Sequence, residues 1–206
     1  MTGTLILMVG TTSSPPLLFH PGTATTVPQD GAMEYAGNHF LLTSGTARHP
    51  IATSGGVKTS TTTVVNTTTD TTIYTYTFEA NELHADEKVT FIMSGVYSNA
   101  TASDDFTIRM KWNGSTIQTV SRVGGNLTNQ GWKVLYEATV RTSGASGTYV
   151  DFIQYTDGSN SYVQADTTTH SIDTTASNVL TLTVQWANAK AGNTFSCTQG
   201  SLLFEH

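Results

Sequence analysis

From Tyr74 onward the sequence repeatedly alternates apolar with small polar residues, and this period of two constrains the fold more than any other feature. Tyr74, Tyr76 and Phe78 are separated by Thr75 and Thr77, and Val89, Phe91 and Met93 by Thr90 and Ile92. Phe106, Ile108, Met110 and Trp112 alternate with Thr107, Arg109 and Lys111. Trp132, Val134, Tyr136, Ala138 and Val140 form the cleanest run, and Leu180, Leu182, Val184 and Trp186 form another. A strand sends successive side chains to opposite faces, so each run specifies a strand with one buried face. Turn signals fall between the runs. Asn113-Gly114 has the composition of a two-residue hairpin turn, where both positions take positive φ, and Asp157-Gly158 ends the run over 149–155.

Composition points the same way. Thr occurs 40 times, and Thr, Val and Ile together supply 63 of 206 residues, against five Lys and six Glu. β-Branched side chains lose rotamer freedom in a helix and pack well on a pleated surface. Residues that cover exposed helix faces are scarce, which excludes a helical bundle and argues against a βαβ enzyme. The expected fold is all-β, an antiparallel sandwich of about eight strands with jelly-roll character. Residues 80–88 could form at most one helical turn and read as a loop.

The prolines set a boundary. All five lie within the first 50 residues, and all three Trp follow them. Residues 1–29 contain no Asp, Glu, Lys or Arg until Asp30. Residues 1–55 therefore read as an extended, irregular segment and 56–206 as the compact domain, joined at Gly55-Gly56. A segment so rich in Pro, Thr and Gly does not close a core by itself. Its Leu and Phe residues, with Leu17, Leu18 and Phe19 foremost, need copies of the segment or another protein to cover them.

The charge balance narrows the partners. A net charge of −6 and a pI near 5.3 give no basic stripe for nucleic acid. No apolar run reaches the length that crosses a bilayer. Leu5 to Val9 is too short for a signal sequence and lacks a preceding cation, so synthesis in a cytosol is expected. Cys197 is the single cysteine and cannot form a disulfide within the chain. It falls in an alternating strand, where a buried, unreactive thiol fits.

Candidate chemistry is sparse. His84 with Asp86 and Glu87 is the nearest approach to a ligand cluster, but it reads as a polar loop. Asp104-Asp105 reads as a turn-capping pair rather than a calcium loop, which needs more alternating oxygen ligands. Ser143 to Gly147 is a small-residue turn, not a nucleophile elbow. Four Asn-x-Ser/Thr triplets, at Asn66, Asn99, Asn113 and Asn126, are expected in so Thr-rich a chain. No catalytic residue, cofactor or metal is expected, although two carboxylates could meet from distant positions as in a glycosidase.

The stretch from Pro16-Leu17-Leu18-Phe19-His20-Pro21-Gly22-Thr23 to Gly31-Ala32-Met33-Glu34-Tyr35-Ala36-Gly37 resembles a recurrent linker of tailed-bacteriophage fibre and spike proteins. In those proteins a similar unit precedes a globular tip. The ending Gly200-Ser201-Leu202-Leu203-Phe204 is similar to the last strand of trimeric jelly rolls of the tumour-necrosis-factor and C1q type. The resemblance implies a homotrimeric virion protein, docked on capsid, collar or tail through residues 1–55 and presenting a tip toward a host-surface glycan or protein. Only about 55 residues precede the tip, so a short appendage is implied rather than a long fibre. Leu202, Leu203 and Phe204 are three consecutive apolar residues that a strand with one wet face cannot all hide, and they are the expected trimer contact. Alternatives are a head-decoration protein without receptor role and, less favoured, a polysaccharide-degrading tailspike.

Overall fold

The computed structural model describes residues 27, 29–36, 39–44, 47–50, 53–158, 160–165 and 168–205. The chain divides into two compact units, Met1–Ile51 and Ala52–His206.

In the first unit, β1 (Met33–Ala36), β2 (His39–Ser44) and β3 (Ala47–Pro50) form an antiparallel sheet in the order β1-β2-β3. Tyr35 lies opposite Phe40, with ring centroids 4.9 Å apart. Before β1, the Gly31 amide donates to the Thr43 carbonyl, and the Thr43 amide donates to that of Ala32. These strands depart from the irregular segment expected of residues 1–55. The turn signals of Gly37-Asn38 and Gly45-Thr46 are present in the sequence on either side of His39–Ser44. Pro50 is tolerated because β3 is an edge strand. Leu17, Leu18 and Phe19 lie outside the described residues.

The second unit is an antiparallel β-sandwich. Its strands are β4 (Thr53–Lys58), β5 (Thr62–Val65), β6 (Thr71–Phe78), β7 (Lys88–Ser98), β8 (Phe106–Trp112) and β9 (Ser115–Arg122), followed by β10 (Gln130–Thr142), β11 (Gly147–Asp157), β12 (Asn160–Ala165), β13 (His170–Ile172), β14 (Asn178–Trp186) and β15 (Thr194–Glu205). The larger sheet runs β12-β11-β10-β7-β15-β4, with β13 pairing beside β11 and β5 beside β15. The smaller sheet runs β6-β14-β8-β9. Setting aside β5 and β11 to β13, the remaining eight strands follow chain order 6-3-8-1 in one sheet and 2-7-4-5 in the other. That is jelly-roll connectivity, in which every step between these eight strands except the β8–β9 hairpin crosses from sheet to sheet.

Burial follows the alternation read from the sequence. On β11, every second residue from Gly147 to Asp157 is buried, and β8 repeats the pattern from Phe106 to Trp112. Phe106 sits at the centre of the core, with Tyr97, Trp186 and Phe195 ring centroids 4.9, 5.2 and 5.2 Å away. Trp112, Trp132 and Trp186 are all buried, as their place on apolar faces required. Asn113 and Gly114 take φ of 48° and 80° between β8 and β9, the hairpin geometry that Asn-Gly favours. Residues 79–87 are a loop.

Two bulges reset the alternation. Tyr74 and Thr72 pair with Leu182 and Thr183, which leaves Ile73 as an extra residue, so Ile73 is buried and Tyr74 also packs on the core. On β15, Cys197 faces Gly95 and Gln199 faces Ser94, leaving Thr198 unpaired in the ladder. Phe195 and Cys197 point inward before this bulge, and Leu202 and Phe204 after it. β7 accommodates the close approach with Gly95, where a Cβ would lie 1.9 Å from the Ser196 carbonyl oxygen.

Candidate functional surfaces

The two outer faces of the sandwich differ in chemistry, and the register of the strands fixes which residues lie on each. On the larger sheet, Val57, Ser201, Ile92, Leu135, Gln154 and Val163 form one row across β4, β15, β7, β10, β11 and β12. The adjacent row holds Leu203, Thr90, Glu137, Phe152 and Ala165. Val150 and Val96 lie beyond these rows on the same face. Val57 and Val163 are 65% and 56% exposed, and Ile92, Leu135 and Phe152 are partly so. Charge on this face is sparse and nearly balanced: Lys88 bridges Glu137 and Glu205, and Lys133 stands apart.

On the smaller sheet the rows read Thr75–Thr181–Lys111–Thr116, Thr72–Thr183–Arg109–Thr119 and Gln185–Thr107–Ser121. Every side chain in these three rows is polar. Asp70 joins the two cations, 3.2 Å from Arg109 and 2.5 Å from Lys111. Burial pushes the Asp70 carboxyl up, but hydrogen bonds from Lys111 and Thr183 and the adjoining charges hold it below its ordinary value.

β12 is exceptional among the strands of the larger sheet. β11 beside it is covered on its inner face, with Tyr149, Ile153 and Tyr155 almost fully buried. Along β12 only Gln164 is partly covered, and Tyr162 and Val163 are exposed on opposite faces. The larger sheet therefore extends past the smaller one, and β12 is bare on both sides.

The Leu202-Leu203-Phe204 triplet divides between the interior and this surface. Leu202 and Phe204 are core residues, 0% and 2% exposed, and Phe204 packs edge-on against Phe78 with centroids 5.8 Å apart. Leu203 alone reaches the outer face, 38% exposed. The triplet thus contributes one side chain, not three, to any contact made there. The alternation across β15 produces that split.

Buried polar groups serve the fold. Asp157 accepts hydrogen bonds from Tyr97 (3.0 Å), Tyr155 (2.9 Å), Arg122 (2.6 Å) and Asn160 (2.8 Å). Burial pushes its carboxyl up, but those four donors outweigh it and hold the group below the usual aspartate value. The same burial and the neighbouring carboxylate push the Tyr97 phenol up to about 12. A second chain links Trp112 to Tyr136 to Asp151, with Gln118 donating to the same carboxylate at 2.6 Å. Both clusters draw their members from both sheets, and sequence spacing gives no sign of either.

The residues singled out for chemistry have structural surroundings. His84, Asp86 and Glu87 lie in the loop before β7, where the Glu87 carboxyl accepts the His84 amide at 2.8 Å. The Asp86 amide and Glu87 carbonyl pair with Val140. Burial is the main cause that pushes the Glu87 carboxyl up to about 7. Asp104 caps its turn through the Thr101 amide at 2.8 Å and meets Lys190, while Asp105 accepts the Gly124 amide. Ser143 to Gly147 connects β10 to β11, and the Gly147 amide closes the turn on the Gly144 carbonyl. Cys197 is buried beside Met93, and burial raises its thiol to about 11, so it stays protonated at neutral pH. Among the described residues, no group of three or more His, Cys, Asp or Glu is placed to hold a metal ion.

No family model matches the sequence, and neither a curated protein nor a solved structure does.

Proposed function

We propose that this chain is a structural virion protein of a tailed bacteriophage, a short trimeric fibre or spike without catalytic activity. Its N-terminal residues dock on the particle, and its β-sandwich is presented toward a host-surface glycan or protein. The observation that carries this reading is the outer face of the larger sheet, which exposes more apolar side chains than the predominantly polar outer face of the smaller one. A lone soluble sandwich has no need of such an asymmetry, whereas a protein that assembles with its own copies has one face to cover and one to display. The motif over residues 16–37 supports the virion assignment, because it resembles the linker that precedes fibre and spike tips. The buried carboxylates of Asp151 and Asp157 support a non-catalytic role, because both are committed to holding strands together.

Antibody labelling of purified phage particles, read by electron microscopy, tests the reading. Label at the tail or collar supports the spike assignment, and label over the head shifts it to capsid decoration. Particles that carry no label, from lysates in which the protein is abundant, would overturn it.

A further inference from the structure

We infer that one end of the larger sheet's outer face carries a binding groove for an acidic saccharide, with the carboxylate of a uronic acid held by Lys133. The inference rests on the reading above, in which the sandwich meets a host-surface glycan, and names the place and the sugar class.

The groove lies beyond the apolar rows. One row past Ile92 and Leu135, the register aligns Gln199, Ser94, Lys133, Thr156 and Ser161 across β15, β7, β10, β11 and β12, and none of them is apolar. The next row is open, because Gly131 stands opposite Val96 and a Cβ on Gly131 would meet nothing within 4 Å. These rows bound a groove of about 400 Å³, within the range of small-ligand sites. Ser94 and Gln199 also border a second hollow of about 270 Å³ that reaches Val57 and Ser201, so a chain of sugars has room to continue. Copies that met over the Leu203 and Leu135 rows would leave this end of the face in water.

The β15 bulge builds one wall. A regular strand would turn one of two successive residues inward, but Thr198 and Gln199 are both exposed. Thr198 Oγ1 donates to the Ser94 carbonyl at 3.3 Å, and Gln199 Nε2 donates to Ser94 Oγ at 3.0 Å. That arrangement leaves the Ser94 hydroxyl proton and the Gln199 amide oxygen for sugar hydroxyls.

Charge selects the ligand. The chain carries a net charge of −6, yet no carboxylate lines the groove, and among the described residues Lys133 has no anionic partner. Its exposed ammonium is a single point charge that matches one carboxylate, whereas a doubly charged phosphate would exceed it. Val96 is the one exposed apolar side chain of the lining, so neither a lipid nor an apolar peptide is favoured.

Isothermal titration calorimetry on the full-length protein tests the inference, with the tetramer of galacturonic acid as probe and neutral maltotetraose as control. The acidic tetramer is expected to bind, more weakly as salt is added, and maltotetraose to bind at least about fivefold less tightly. Lys133→Gln should lower the affinity for the acidic tetramer about fivefold, the effect of one exposed ion pair. Gly131→Gln should abolish binding by filling the groove, and circular dichroism should show its fold intact because the added Cβ meets no neighbour. Arg141→Gln, which removes an exposed cation outside the groove, should leave the affinity unchanged. No binding of the acidic tetramer, or binding indifferent to Lys133 and Gly131, overturns the inference and leaves the virion assignment standing. Equal affinity for maltotetraose removes the role of the carboxylate and overturns the inference as well. If the groove binds as expected but labelled particles lack the protein, the virion assignment alone falls.

Discussion

The Arg122 guanidinium, at the end of β9, donates to the Asp157 carboxylate, at the end of β11, across 2.6 Å. β9 belongs to the smaller sheet and β11 to the larger, so this ion pair clamps the two layers together. The Asp157 side chain is wholly buried, and that of Arg122 is 20% exposed. Removing the cation leaves a buried carboxylate supported by only Tyr97, Tyr155 and Asn160. Arg122→Gln is therefore expected to cost about 3 kcal/mol, the lower end of the range for a broken buried pair. A denaturant titration checks it, and an unchanged midpoint would refute the clamp.

The same carboxylate sets the acid limit of the fold. Its value is lower in the folded protein than in an unfolded chain, so its stabilising contribution is present above about pH 4 and is lost as the pH falls further. Wild-type stability should drop steeply below that point, and the Asp157→Asn variant, weaker at neutral pH, should show a flatter acid limb. Thermal melts from pH 2 to pH 7 read this directly.

Glu87 has the opposite sign. Its folded value of about 7 lies above the ordinary glutamate range, so ionising it opposes folding. The protonated form contributes fully below about pH 4, and that contribution is lost as the pH rises toward 7. Glu87→Gln keeps an acceptor for the His84 amide and removes the charge. It should raise stability at pH 8 by on the order of 2 kcal/mol and have little effect at pH 4. Equal effects at both pH values would show that burial of the charge is not the cause.

Gly95 and Gly200 separate two kinds of crowding. A Cβ at Gly95 meets the Ser196 carbonyl oxygen at 1.9 Å, whereas one at Gly200 meets the Met93 sulfur at 2.0 Å. The first obstacle is backbone held in a ladder, and the second is the end of a flexible side chain. Gly95→Ala should cost about 3 kcal/mol or more and Gly200→Ala about 1 kcal/mol, as strain and repacking respectively. Guanidinium denaturation of the two variants ranks them. The reverse order would mean that the β15 bulge relaxes more easily than the core around Met93.

Deleting residues 1–51 should leave the sandwich folded, because β4 begins at Thr53 and every strand of both its sheets follows. On the proposed function, the truncated protein should no longer enter particles. Near-UV circular dichroism and particle incorporation measure the two halves of this expectation. Loss of the folded signal would show that the first unit is required by the second.

Much of the sandwich was legible because its strands obey local rules. The runs at Phe106, Trp132 and Leu180 each declare a buried face, and Asn113-Gly114 declares the turn between β8 and β9. Bulges were not legible. Nothing around Ile73 or Thr198 signals an extra residue, since the misfit arises from partner strands more than 100 residues away. β12 lacked signal because neither of its faces is buried, so its sequence carries no period. The Asp157 cluster draws on residues 97, 122, 155, 157 and 160, and only the fold brings them together. The apolar outer face was partly visible in Leu203, but its extent emerges only when Ile92, Leu135 and Val163 are aligned by register.

β15 sits in the middle of the larger sheet, with β7 on one side and β4 and β5 on the other, yet it follows all of them in sequence. Until it arrives, β7 has an open edge facing a gap, and β4 and β5 have no ladder to join. The residues it must find lie about 100 or more positions earlier, as in the pairing of Cys197 with Gly95. Contacts of that separation make closure slow, so the nascent chain carries an unzipped sheet through most of its synthesis. Assembly of the protein in a cell should thus be governed by how long that open edge is shielded, and a chaperone that holds β7 apart from other chains would raise the yield of folded protein more than any change within the finished core.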